Sequence, residues 1–245
     1  MISLSRLHKS TSVDGKTSER GLTLVELAIV LVIIGLVLAA VLKGQELIVS
    51  ARLKSTISAA GEVSSAAQTF RDKYGALPGD YSKGIARLDS NGNLGWTIVG
   101  DGDGVVDGDG VALPAANEET ILFWNHLAAA NMIAGVSPVG IATIGDGIPS
   151  APVGGGWTIR NELVVGKTTH WLSLGSAVAV PIGVVNSEQA LLIDEKADDG
   201  RPGTGSIRSP TFACVNDDDV SLDVSAGDSY APDPATTQCL LTFEL

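Results

Sequence analysis

Histidine, cysteine and aromatic side chains are scarce in this chain of 245 residues, and each shortage removes a class of function. There are three histidines, one of them His8 near the start, and no HExxH, nucleophile elbow, phosphate loop or dinucleotide fingerprint. Little remains from which to assemble a common catalytic centre, so the sequence reads as that of a non-enzyme. The only cysteines, Cys214 and Cys239, sit in no CxxC or Cys/His spacing that a zinc site needs. Aromatic residues make up 4% of the chain while glycines number 29, which suggests a loop-rich body and not a densely helical one. Basic residues are also short, 16 against 28 acidic ones, giving a net charge of −12. Residues 1–21 carry Arg6, Lys9, Lys16 and Arg20 against Asp14 and Glu19, a surplus of two positive charges, so their removal would take the net charge from −12 to −14. An acidic body repels nucleic acid and anionic headgroups, which argues against nucleic acid as a partner of the soluble part and leaves divalent cations as better candidates.

Both cysteines lie near the C-terminus. A disulfide is the natural reading, against the plainer one of two unrelated buried thiols. In an oxidising compartment the bond would close a loop of about 26 residues and contribute roughly 3–4 kcal/mol.

What the chain has in abundance is one apolar run, LTLVELAIVLVIIGLVLAAVL from Leu22 to Leu42, in which Glu26 is the only charge. As a helix it spans about 31 Å, the thickness of a bilayer core. The basic residues before it favour a cytoplasmic leader and an external body, although Arg52 and Lys54 weaken the contrast. A secretory signal cut near Ala39 or Ala40, or a plain uncleaved anchor, are the blander readings. Against the signal stand the length of the run, a charge within its first turn and a half, and helical periodicity that continues past the supposed cut. A carboxylate near mid-bilayer costs about 2.5–3.5 kcal/mol, so Glu26 needs a partner. A cut between Gly21 and Leu22 would create an ammonium four residues from that carboxylate. A neighbouring subunit shifted along the helix could bring its own ammonium there, making Glu26 a register device for polymerisation.

The segment Arg20-Gly21-Leu22-Thr23-Leu24-Val25-Glu26-Leu27 resembles the processing site of type IV prepilins and type II secretion pseudopilins. The resemblance implies that a membrane aspartic peptidase cuts after Gly21 and methylates the new amine of Leu22, and that Glu26 is needed for assembly. Leu22 stands where phenylalanine is commoner and the leader is longer than many, features that resemble the type IVb branch. The implied partners are a prepilin peptidase, identical or homologous pilin-like subunits, an inner-membrane assembly platform and the membrane itself. The implied location is the bacterial inner membrane with the head in the periplasm, then a periplasmic or extracellular filament.

Past the apolar run, Leu53, Ile57, Ala60, Val63, Ala67, Phe70 and Tyr74 recur at intervals of three and four, predicting one helix from Leu22 to Tyr74 that Gly75 and Pro78 stop. Gly35 and Gly44 weaken it by up to about 1 kcal/mol each. Asn117 to Ala134 is expected as a second helix, with Asn117 as its cap, Gly135 after its end and His126 structural. The run EETILFWNHLAAANMIAG within it is also similar to a stretch in pilin-like proteins, a weaker resemblance. Trp157–Val165 and Thr169–Val185 read as strands separated by a turn near Gly166 and Lys167. Asn186–Lys196 reads as a helix with an Asn186–Gln189 capping box, and the final LLTFEL as a strand. The expected fold is α+β, a long N-terminal helix packed on a small, mainly antiparallel sheet. The expected divisions are leader 1–21, membrane and filament-core helix 22–42, amphipathic helix 43–74, and head 75–245. In pilin-like terms, Cys214 to Cys239 would bound a C-terminal loop.

Two acidic clusters suggest calcium as a cofactor, the first being Asp101, Asp103, Asp107 and Asp109 in DGDGVVDGDG. With Gly104 as the turn glycine of an EF-hand-like loop, Asp101, Asp103 and Asp107 fall at ligand positions and Val106 at the apolar one. Val99 and Gly110 then occupy the first and last ligand positions, so any site would be weaker or completed by Asp89, Asn91 or Asn93, and a solvated turn is the alternative. The second cluster is Asp194, Glu195, Asp198 and Asp199, carboxylates gathered at a helix C-terminus against its dipole, with Lys196 and Arg201 as the bland counter-charges. Two functions follow: a subunit of a type IV pilus or type II secretion pseudopilus, or a membrane-anchored calcium-binding module that never polymerises. The second needs neither a cut at Gly21 nor Glu26.

Overall fold

The computed structural model describes residues 21, 23–83, 88, 99–108, 118–136, 143–176, 182–211, 214–216, 224–231 and 238–245. Its contacts divide the chain into two units, Met1–Glu46 and Leu47–Leu245. Helix α1, Leu24–Tyr74, contributes to both.

In the first unit the helix is apolar on every side, and Leu24, Ile29, Leu31, Ile33, Leu36 and Leu38 are all exposed. Lys43 and Glu46, one turn apart, form an exposed ion pair near its end. In the second unit the helix becomes amphipathic. Leu53, Thr56, Ala60, Val63, Ala67 and Phe70 are buried at intervals of three and four; Thr56 takes the place expected of Ile57, which like Tyr74 is half-buried. Gly75, at φ +78°, ends the helix by donating its N–H to the Arg71 carbonyl, and Pro78 follows.

Helix α2, Glu119–Ala129, is shorter at both ends than expected. Asn131 adopts φ +55°, its N–H bonds the Ala128 carbonyl and the next N–H, of Met132, bonds the Leu127 carbonyl. That is a Schellman stop with asparagine in the left-handed position, and it acts before Gly135 can. The expected cap, Asn117, lies outside the described residues, and Glu118 takes the cap position with no side-chain capping bond to the helix.

A four-stranded, wholly antiparallel sheet has the order β1-β2-β6-β3, with β1 Gly156–Val164, β2 Lys167–Gly175, β3 Ile207–Arg208 and β6 Leu241–Glu244. Strand β6 is the expected C-terminal one, and it inserts between β2 and β3. The β1–β2 turn consists of Val165 and Gly166, at φ +44° and +78°. Two successive positive φ values match the twist of the strands, but valine is a poor residue for the first of them. The Arg208 Nη1 donates to the carbonyls of Val164 and Val165 at 3.3 and 2.6 Å, holding the turn. Strand β2 stops ten residues before the expected Val185, because Ser176 donates to the Ile182 carbonyl and Gly175 bridges Gly183, folding the chain back.

Helix α3, Ser187–Ala197, begins with the expected capping box: Gln189 N–H to Asn186 Oδ1 at 2.8 Å and Asn186 N–H to Gln189 Oε1 at 3.2 Å. A small ladder pairs β4, Val215–Asn216, with β5, Ser229–Tyr230. Residues from α1, α2 and the four-stranded sheet share one core in which Phe70, Phe123, Trp124, Trp157 and Leu172 are almost wholly excluded from solvent. The scarce aromatics are thus concentrated where a large side chain excludes most water. The architecture is α+β, as the sequence predicts.

Candidate functional site

The first candidate region opens the apolar helix. Gly21 is exposed, and Leu22, the expected site of cleavage and methylation, lies outside the described residues. Thr23 precedes the helix, and Glu26 stands in its first turn. The Glu26 Oε2 accepts from both the backbone N–H and the hydroxyl of Thr23 at 2.9 Å, while the Glu26 N–H reaches Thr23 Oγ1 at 3.2 Å. This is a reciprocal capping box. The signal, Thr-x-x-Glu before an apolar run, is local and present in the sequence. Glu26 therefore has a partner within its own chain. The exposed leucine, isoleucine and valine side chains that follow would each gain about 1.5–3 kcal/mol on full burial, so water is the wrong solvent for this helix.

The second region gathers carboxylates from three segments that are distant in sequence. One oxygen each from Asp80, Asp101 and Glu119 lies within 4.8 Å of the other two. Asp80 ends the LPGD turn after α1, Asp101 lies on the DGDG loop and Glu119 opens α2. Among the described residues, Asp101 is the one expected aspartate that joins the group. Asp103 turns back to accept the Val105 N–H at 2.8 Å, and Asp107 contributes a backbone N–H to Glu119 Oε2 at 3.3 Å. Asp109, Asp89, Asn91 and Asn93 lie outside the described residues. Asp80 and Glu119 join the group from outside both acidic clusters of the sequence. Glycine lets the segments meet. Gly79 is at φ +92°, and a Cβ there would come within 2.6 Å of the Glu119 carbonyl oxygen. Burial raises the Asp80 carboxyl above its ordinary range, and burial pushes that of Glu119 up to about 7, with Asp101 and Asp80 adding repulsion.

Around this group both histidines of the body serve as acceptors. His126 Nδ1 takes the Gly79 N–H at 2.8 Å, and His170 Nε2 takes the Val106 N–H at 2.9 Å. Burial lowers both, His126 to about 3, so His126 is neutral at physiological pH and structural.

The second expected acidic cluster does come together: Asp194, Asp198 and Asp199 also place oxygens within 4.8 Å of one another, without Glu195. Each of the three holds a loop. Asp194 accepts from Gly200 N–H and the Tyr230 hydroxyl, Asp198 from the N–H groups of Ser206 and Ile207, and Asp199 from Arg201 N–H and the Thr204 hydroxyl. Burial pushes Asp194 up to about 6. Nearby, Cys214 and Cys239 form the expected disulfide, with Cα atoms 5.5 Å apart and both residues fully buried.

Comparison with curated proteins and with solved structures finds no match to this chain. Residues 16–42, which contain Gly21, Leu22, Thr23 and Glu26, match the prokaryotic N-terminal methylation motif, and with it the chain carries the signature of type IV pilin-like proteins.

Proposed function

We propose that the chain is a structural subunit of a type IV pilus or type II secretion pseudopilus, which polymerises through α1 once the leader has been removed between Gly21 and Leu22. The observation that carries this reading is a methylation motif laid over a helix whose apolar residues face outward on all sides. A bilayer satisfies such a surface in the precursor, and neighbouring copies of the same helix satisfy it in a filament core. A prepilin peptidase, homologous subunits and an inner-membrane assembly platform are the partners this implies, with the head on the periplasmic side. Glu26 supplies the register: the charge of an adjoining subunit's freed terminus offsets its own in apolar surroundings.

Mass spectrometry of the mature protein tests the reading. An N-methylated Leu22 terminus is expected. An intact Met1, or a terminus near Val41, would overturn it.

A further inference from the structure

We propose that Asp80, Asp101 and Glu119 form a binding site for a hard divalent cation, calcium by ligand type and size, that ties the LPGD turn, the DGDG loop and the start of α2 together. This stands apart from the filament reading, since it rests only on the body of the protein.

The spacing fits an ion. Oxygens around calcium lie at 2.3–2.6 Å from it, so any two of them are at most about 4.6–5.2 Å apart. The three carboxylate oxygens lie within 4.8 Å of one another. All are hard oxygen donors on a glycine-rich frame, and calcium tolerates the irregular geometry of such loops better than magnesium does.

Asp80 is what separates this group from an ordinary acidic surface. It is 3% exposed, Gly104 N–H reaches its Oδ2 at 3.1 Å, the Gly102 backbone also bonds the carboxyl, and among the described residues its Oδ1 has no hydrogen-bond partner. A buried carboxylate oxygen left without a donor is costly, and a cation removes the cost. Among the described residues, no lysine or arginine forms an ion pair with any of the three. Glu119, 2% exposed, accepts from the N–H groups of Asp101 and Asp107, which turn the loop toward the same point. The rival account is a shared proton, because burial already holds Glu119 up to about 7. A proton neutralises one charge of three, whereas a divalent ion offsets two and uses the free Asp80 lone pairs.

Of the three carboxylates, that of Asp80 borders a cleft. Asp80, Gly102, Asp103 and Gly104 line an open cleft of about 640 Å³. By contrast, among the described residues Asp194, Asp198 and Asp199 leave no buried carboxylate oxygen without a donor.

The test uses the full chain in detergent micelles at pH 7.5, stripped with chelator and then given calcium chloride at roughly a hundred times the dissociation constant. The thermal midpoint should rise by about 5–10 °C, and one equivalent of calcium should survive dialysis. Asp101 is exposed, so Asp101→Asn folds, and it should lose both the shift and the bound ion; Asp198→Asn should keep both. Superimposed melting curves with no retained calcium in the unaltered chain would leave the shared proton and overturn the site. A shift that survives Asp101→Asn but disappears in Asp198→Asn would overturn it too.

Discussion

Thr23 and Glu26 satisfy each other at the mouth of the apolar helix, with the Thr23 N–H and hydroxyl both 2.9 Å from Glu26 Oε2. Two roles therefore converge on one side chain: capping the helix, which a neutral amide also performs, and carrying charge, which it does not. Glu26→Gln separates them. The variant should insert into membranes and keep its first helical turn, but fail to enter filaments, as should Glu26→Ala. Membrane fractionation beside a filament-shearing assay reads both steps, and normal incorporation of Glu26→Gln would reduce the residue to a cap.

The β1–β2 turn should be improvable. Val165 holds φ +44° beside Gly166 at +78°, and asparagine accepts the first position far better than a β-branched residue. Val165→Asn should stabilise the body by about 0.5–1 kcal/mol. Arg208→Met should destabilise it by about 1.5–3 kcal/mol, by removing the donor that binds the turn carbonyls and stacks 5.6 Å from the Trp171 ring. Urea titration of the two variants checks both signs.

The contrast between these residues shows what the sequence could reveal. Period and composition were enough for α1, because a face buried every third or fourth residue leaves its mark along the chain. The Asn186–Gln189 box and the β6 strand were legible for the same local reason. Glu119 was not, since its neighbours Asp80 and Asp101 come from segments that only the tertiary fold brings together. The end of β2 was hidden as well, because Gly175 turns back to meet Gly183, and valine-rich sequence beyond it reads as strand regardless. Asn131 shows a third kind of miss: asparagine in a helical pattern carries no stop signal until its neighbours' hydrogen bonds are known.

The disulfide should stabilise the body chiefly through the unfolded chain, by closing a loop of 25 residues' separation. Replacing both cysteines by alanine should cost about 2–4 kcal/mol. The loss should be close to that produced by reducing the unaltered protein, since both cysteines are fully buried and neither thiol gains water in the fold. Thermal melts with and without reductant compare the two, and a reduced protein as stable as the oxidised one would argue that the loop is already ordered before the bond closes.

His126 should make the body sensitive to acid. Its ring lies parallel to Phe70 with centroids 5.9 Å apart and edge-on to Tyr81 at 6.1 Å, while Nδ1 accepts the Gly79 N–H. Burial holds it at about 3 in the fold against 6.5 as its ordinary value. Below pH 6.5 the unfolded chain takes up a proton that the folded one refuses, so stability is full above that value and falls as pH drops toward 3. By pH 4 the loss from this group is on the order of 3 kcal/mol. Glu119 and Asp194, both raised by burial, work in the opposite direction over pH 4 to 7, so the total slope alone would not isolate the histidine. His126→Gln does: its amide oxygen can still accept from Gly79, and it cannot titrate. The variant should melt lower than the unaltered protein at pH 7 but lose less between pH 7 and 4, so that the two curves converge as the medium is acidified. Parallel curves would place the acid sensitivity elsewhere.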